Sequence, residues 1–141
     1  VESKKLLLSG TGSGTFNFSN VSNGVNYYIQ IKHRNSIETW SKSGGVMFTG
    51  GALNYDFTTA SSKAYGNNLI MKGTKYCIYS GDVNQDGNVD GTDLGLIDYD
   101  AFNYASGYLN TDLTGNNFTD AVDLAIADNN AFNFIGKIVP Q

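Results

Sequence analysis

One cysteine, one proline and one histidine are all that this chain of 141 residues holds of those three types. Each scarcity excludes something. Cys77 alone permits no internal disulfide, and its place in an apolar stretch reads as a small buried side chain. His33 alone would have to carry any histidine-assisted nucleophilic chemistry. No Ser in a Gly-x-Ser-x-Gly setting accompanies it, so it reads as a structural residue at a strand end. No run of eighteen apolar residues occurs, which leaves nothing to span a membrane as a helix. No basic patch points to nucleic acid: the net charge is −4, and much of the acid lies in two short loops. Outside those loops there is no acid/base pair, nucleophile or transition-metal cluster, and the chain reads as a non-enzyme. It begins at Val1 without Met and without a signal peptide, as a mature product or a piece of a longer protein would.

Glycine and aromatics are plentiful, with 17 Gly and 13% Phe, Trp and Tyr. That balance favours strands and turns over a helical bundle. Residues 1–80 alternate apolar and polar positions in short runs. Leu6–Leu8, Phe16/Phe18, Tyr27/Ile29/Ile31, Val46/Phe48, Tyr55/Phe57 and Tyr76/Ile78 are each bounded by Gly, Ser or Asn. The spacing predicts an antiparallel β-sandwich over 1–80. Trp40 reads as core in such a sandwich, or alternatively as a stacking platform for a sugar. Val1–Leu8 precedes the Gly/Ser stretch 9–14. It reads as an edge strand, or as a strand donated to a neighbouring subunit.

The chain is organised around Asp82-Val-Asn-Gln-Asp-Gly-Asn-Val-Asp-Gly-Thr-Asp93. Asp82, Asn84, Asp86, Asp90 and Asp93 put side-chain oxygens at positions 1, 3, 5, 9 and 12. Gly87 stands at the sharp turn, and Asn88 follows it with a backbone carbonyl to offer. A hard cation such as Ca²⁺ takes about six to eight oxygens, and this spacing wraps them around one point. Thirty residues on, Asp112, Thr114, Asn116, Asp120 and Asp123 occupy the same positions, with Phe118 in place of Asn88. Asn117 replaces the turn glycine, and Asn tolerates a left-handed backbone. With three carboxylates against four and a weaker Thr ligand, the second loop is expected to bind less tightly. Two Ca²⁺ ions are expected in all.

The register continues beyond the loops. Leu94, Asp98, Ala101, Phe102 and Asn103 recur as Leu124, Asp128, Ala131, Phe132 and Asn133. Helices are predicted over 92–105 and 122–135, ended by Gly107 and Gly136, with Pro140 beyond. Leu94, Ile97, Ala101 and Tyr104 form one apolar face, and Leu124, Ala127, Ala131 and Phe134 the other. The helices are expected to pack antiparallel in a small core held by the ions. The short junction Tyr79-Ser-Gly81 predicts rigid docking of the two modules, 1–80 and 81–141.

Residues 81–136, a little over a third of the chain, resemble a dockerin domain, the duplicated calcium-loop-plus-helix module of bacterial extracellular assemblies. In that family position 12 is Asp, as at Asp93 and Asp123, and no full helix enters the first loop. The stretch Tyr27–Ser41, with Tyr55-Asp-Phe-Thr58 and Ala64-Tyr-Gly66, resembles a β-rich module found before dockerin-like or sorting tails in large secreted bacterial proteins. The resemblance implies an α+β chain of two modules that is extracellular or at the cell surface. It also implies a non-catalytic role in protein–protein assembly, with a cohesin-like partner. The partner-facing positions carried over are Gly91, Thr92, Asp98, Tyr99 and Asn103, then Ala121, Val122, Asp128, Asn129 and Asn133. Where the family often shows a hydroxyl pair, this chain has Gly91-Thr92 and Ala121-Val122. Two other readings stand beside it: a repeating subunit of a surface layer or filament, partnered by copies of itself, and a carbohydrate-binding sandwich that recognises glycans. Asn-x-Ser/Thr triplets at Asn17, Asn20 and Asn117 are glycan acceptors or chance.

Overall fold

The computed structural model describes residues 2–141. It is a mixed α+β fold with small antiparallel sheets and two helices. The helices α1 (Gly91–Phe102) and α2 (Ala121–Phe132) form because the loop acids cap them. Asp90 accepts the Thr92 N–H at 2.8 Å, and Asp93 accepts the Asp90 N–H at 3.0 Å, a reciprocal capping box. Asp120 and Asp123 repeat it at 2.7 and 2.9 Å.

Both helices stop earlier than the predicted 105 and 135, at Phe102 and Phe132. Their ends are Schellman motifs: Ala105 N–H reaches the Asp100 carbonyl at 2.9 Å and Tyr104 N–H that of Ala101 at 3.1 Å. Ile135 and Phe134 do the same to Asn130 and Ala131. The left-handed residue is therefore Tyr104 or Phe134, each at φ 53°, and not Gly107 or Gly136. This turns Tyr104 and Phe134 out of the expected apolar face; they are 90% and 93% exposed.

Past each helix the chain crosses to the other loop. Val89 N–H bonds to the Ile135 carbonyl and Lys137 N–H to that of Gly87, at 2.8 and 2.7 Å. Thr119 bonds likewise to Ala105 and Gly107 to Asn117, at 3.0 and 2.8 Å. Each loop thus closes on the segment following the other repeat's helix. Ile97 and Ala127 are fully buried between them with Val83 and Val89.

The β-rich half is built of short two-stranded ladders. β1 (Asn26–Tyr27) pairs with β4 (Val46–Met47), β2 (Gln30–Ile31) with β3 (Thr39–Trp40), and β5 (Ile70–Lys72) with β6 (Lys75–Cys77). The run Tyr27–Ile31 is split, because Ile29 exchanges hydrogen bonds with Ser41: its N–H goes to Ser41 Oγ and its carbonyl accepts the Ser41 N–H. Tyr55–Phe57 is no strand. Asp56 caps a 3₁₀ turn, Phe57–Thr59, and two more follow at Ser61–Lys63 and Tyr65–Asn67. Leu6–Leu8 and Phe16/Phe18 also lie outside strands; Val1 is outside the described residues.

Cys77 is exposed rather than buried. The pleat leaves Tyr76 and Ile78 half-buried and turns Cys77 to the opposite, exposed side of the ladder. Trp40 is half-buried, edge-on to Tyr28 at 6.4 Å, and its indole N–H donates to Glu38 at 2.7 Å.

The halves are joined by more than the short junction. Residues 35–37 run beside 79–81, with Gly81 N–H on the Asn35 carbonyl at 2.7 Å and Ile37 N–H on that of Tyr79 at 2.9 Å. Ile37, 1% exposed, belongs to the same apolar cluster as Ile97 and Ala127.

Candidate metal centre

Loop 1 lies between the end of residue 81 and the first turn of α1. Gly87, at φ 98°, makes its turn and lies beneath the Lys137 side chain; a Cβ there would sit 2.5 Å from Lys137 Cδ. Asn117, at φ 70°, takes the same left-handed turn in loop 2, where Gly107 stands in the place of Lys137. The turn residue and the facing residue have thus exchanged bulk between the repeats.

Polar side chains then bond along the loop backbone. Asn84 Oδ1 accepts the Asp86 N–H and Asp86 Oδ1 the Asn88 N–H, each at 2.9 Å. Asn116 Oδ1 accepts the Phe118 N–H at 2.8 Å. Asp93 and Asp123, both fully buried, reach back across their loops. Asp93 Oδ1 takes the Val83 and Asn84 N–H groups at 2.8 and 3.2 Å; Asp123 Oδ1 takes those of Leu113 and Thr114, both at 2.8 Å.

The first carboxylates differ. Asp82 is 2% exposed, and its Oδ2 accepts the Gly87 N–H at 3.1 Å, but its Oδ1 is buried without any hydrogen-bond partner. Burial, then the charges of Asp93 and Asp86, push its pKa up to about 6. Asp112, equally buried, has both oxygens engaged. Oδ1 accepts from the Gly115 and Asn116 N–H groups and the Thr114 hydroxyl, and Oδ2 from the Asn117 N–H. Burial raises its pKa, but those backbone hydrogen bonds outweigh burial and hold it below the ordinary value.

The loops do not gather all their predicted residues equally. Among the described residues no three Asp, Glu, His or Cys side chains form one metal-binding group. Asp82 and Asp93 are both buried, and the Asp93 charge contributes to raising the Asp82 pKa. Asp86, Asp90, Asn84, Asn88, Thr114, Asn116, Phe118 and Asp120 lie at the exposed rim. Asp90 Oδ1 is engaged by the Thr92 N–H and hydroxyl, and the Asn84 amide donates to Asp86 at 3.0 Å. Loop 1 fits a cation best, because an orphaned buried carboxylate oxygen lies beside a second buried acid. Loop 2 has satisfied its first carboxylate from the backbone.

Three supporting residues carry no ligand signature. Asn35 Nδ2 donates to the Asp112 carbonyl at 2.9 Å, and Arg34 Nη1 to that of Leu109 at 2.7 Å, its guanidinium 4.1 Å from the Tyr108 ring centre. Gln85 Nε2 ties the Asp82 carbonyl to that of Ser36, at 2.6 and 3.2 Å. The only hint is a polar run, Arg34-Asn35-Ser36, directly before the buried Ile37. His33 Nδ1 lies 3.3 Å from Ser36 Oγ, and among the described residues it hydrogen-bonds to no carboxylate.

The ten positions expected to face a partner, five between Gly91 and Asn103 and five between Ala121 and Asn133, are all exposed. Between the helices runs a groove lined by Leu94, Gly95, Asp98, Leu124, Ala125 and Asp128. No known protein family matches the chain, and no curated protein or solved structure matches it.

Proposed function

We propose that this chain is a non-catalytic, calcium-stabilised extracellular module that holds a protein assembly together, with a dockerin-like tail (81–141) following a β-sandwich-type module (1–80). The observation that carries the reading is the buried, unpartnered Asp82 Oδ1 beside Asp93. A divalent cation there would satisfy the oxygen and cancel the repulsion. Asp82, Asn84, Asp86, Asn88, Asp90 and Asp93 would hold the first ion. Asp112, Thr114, Asn116, Phe118, Asp120 and Asp123 would hold the second, more weakly. Calcium outside cells, at about millimolar levels, suits sites of this type. The exposed helix faces and the hydrogen bonds that join residues 35–37 to 79–81 support a docking role. Sugar stacking by Trp40 has less support, since its ring is half-buried and its N–H is already taken.

Thermal melts with calcium and with a chelator test the proposal. Calcium is expected to raise the midpoint substantially, because a ligand bound only by the folded state stabilises it by mass action. Superimposed curves would sink the reading. Asp93→Ala is expected to weaken calcium affinity at loop 1 more than Asn88→Ala in titration calorimetry, since position 12 supplies a carboxylate and position 7 only its carbonyl. Equal losses would contradict the ligand assignment.

A further inference from the structure

The charge of the chain is split by half. Residues 1–80 hold eight Lys and Arg against three Asp and Glu, whereas residues 81–141 hold one Lys against ten Asp. The basic half opens on an arm, residues 2–20, in which every residue but Glu2 is exposed. In residues 2–20 the chain doubles back through a turn, where Ser9 N–H meets the Ser13 carbonyl at 2.8 Å. The open end is tied by the Glu2 carboxylate, which accepts the Ser19 and Asn20 N–H groups at 3.0 and 2.9 Å. Between these ties the described residues show no backbone hydrogen bond joining the two segments.

The arm has two faces. Leu6 and Leu8 fold over Gly14, where an added Cβ would lie 3.4 and 2.8 Å from them. Lys4 is turned to Glu2, 2.8 Å away. Lys5 and Leu7 alternate with these and point outward, Leu7 being 90% exposed. The outer face therefore offers one ammonium and one leucine, two residues apart, about 6.6–6.8 Å along an extended chain.

The acidic half offers the complement. Along α1, Leu94 and Asp98 stand one turn apart at the groove, about 6 Å along the axis. Leu124 and Asp128 repeat the pair on α2. The groove has an apolar floor of Leu, Gly and Ala with an aspartate from each helix, and neither Asp98 nor Asp128 is ion-paired among the described residues.

We propose that the occupant of the interhelical groove is the N-terminal arm of a second copy of this chain, with Leu7 on Leu94 or Leu124 and Lys5 against Asp98 or Asp128. This deepens the assembly reading above by naming the partner. A surface that docks a different surface of its neighbour is heterologous and propagates into open chains or closes into rings. Opposite net charge on the two halves steers that head-to-tail encounter and rejects head-to-head contacts. Two bound Ca²⁺ would leave the halves with equal and opposite net charges.

The test is a charge exchange followed by sedimentation velocity and negative-stain microscopy, in calcium, across protein concentration and salt. The unaltered chain is expected to form concentration-dependent assemblies that shrink as salt screens the pair. Lys5→Glu alone and the double variant Asp98→Lys, Asp128→Lys alone are each expected to lose at least tenfold in association. Mixing the two variants is expected to restore assembly in a one-to-one ratio. Leu7→Ser should weaken association without changing the salt slope. A chain that stays monomeric at every concentration, or variants that assemble like the unaltered chain, would overturn the proposal. So would a mixture that fails to recover. Melting curves run in parallel separate this outcome from failure of the calcium reading, which concerns the midpoint and not the assembly.

Discussion

Asp82 and Asp112 occupy the same loop position in the two repeats, yet their acidities move in opposite directions. The difference is one of donors. Asp112 collects three backbone N–H groups, and Asp82 one, with an acid behind it. A carboxyl whose folded pKa is raised to about 6 favours the folded state when protonated. Its contribution is full below the unfolded value, about 3.9, and is lost as pH rises through about 6. Metal-free protein is therefore expected to lose thermal stability from this group between about pH 4 and 7. Asp82→Asn should remove that component, so the difference between the two melting series isolates it. Calcium reverses the sign, because the ion favours the ionised form; its affinity should climb over the same window with a proton released. If wild type and Asp82→Asn have parallel pH profiles without metal, the assignment to Asp82 is wrong. Asp112 behaves oppositely: its contribution is present above the ordinary carboxylate value and lost as pH falls through its lowered one.

At the scale of elements, the two helices end in a way their sequence disguises. A Schellman end calls for a residue that accepts positive φ, usually Gly, and Gly107 and Gly136 lie nearby. The chain instead puts Tyr104 and Phe134 there, and both rings are nearly all exposed. A left-handed non-glycine residue costs about 1–2 kcal/mol, of which glycine's extra unfolded-state freedom offsets about 0.5–1. Phe134→Gly and Tyr104→Gly are each expected to stabilise the fold by about 0.5–1 kcal/mol in denaturant titrations. Loss of stability would show that the rings pack in solution as they do not here. The two helices were legible because their apolar residues recur at one offset of thirty; the D-x-x-D capping boxes that start them emerge only from the structure. The ladders were not. Alternation over Tyr27–Ile31 says which side chains share a face, but Ser41 intervenes from another segment to break the strand. Cys77 was misplaced for a related reason: alternation does not say which face finds a partner layer.

At the scale of the whole molecule, the loops and the β-rich half are tied by hydrogen bonds and a shared apolar cluster. Asn35 holds the Asp112 carbonyl across 77 residues of sequence, and Asn130 Nδ2 holds that of Ser80 across 50. Asn68 Nδ2 donates to Gly136, just past α2. None of these pairings has a local pattern, so no reading of short windows could place residues 34–37 beneath the helices. Their energetic weight falls on Ile37, among the described residues the one fully buried member of the β-rich half in the cluster of Val83, Val89, Ile97 and Ala127, with Tyr79 packed against it. Removing its outer carbons leaves a cavity between the two halves. For a buried Ile→Ala the cost is about 2–5 kcal/mol. Val83 and Val89 lie within loop 1, so loosening their packing also loosens Asp82 and Asp93. Ile37→Ala is therefore expected to lower the metal-free midpoint and to weaken calcium binding at loop 1, although it touches no ligand. Asn35→Ala should act on loop 2 instead, by freeing the Asp112 carbonyl. Titration calorimetry of the two variants resolves the pair. Calcium affinities unchanged by Ile37→Ala, alongside the expected loss of stability, would mean that the β-rich half supports the helices without shaping the loop.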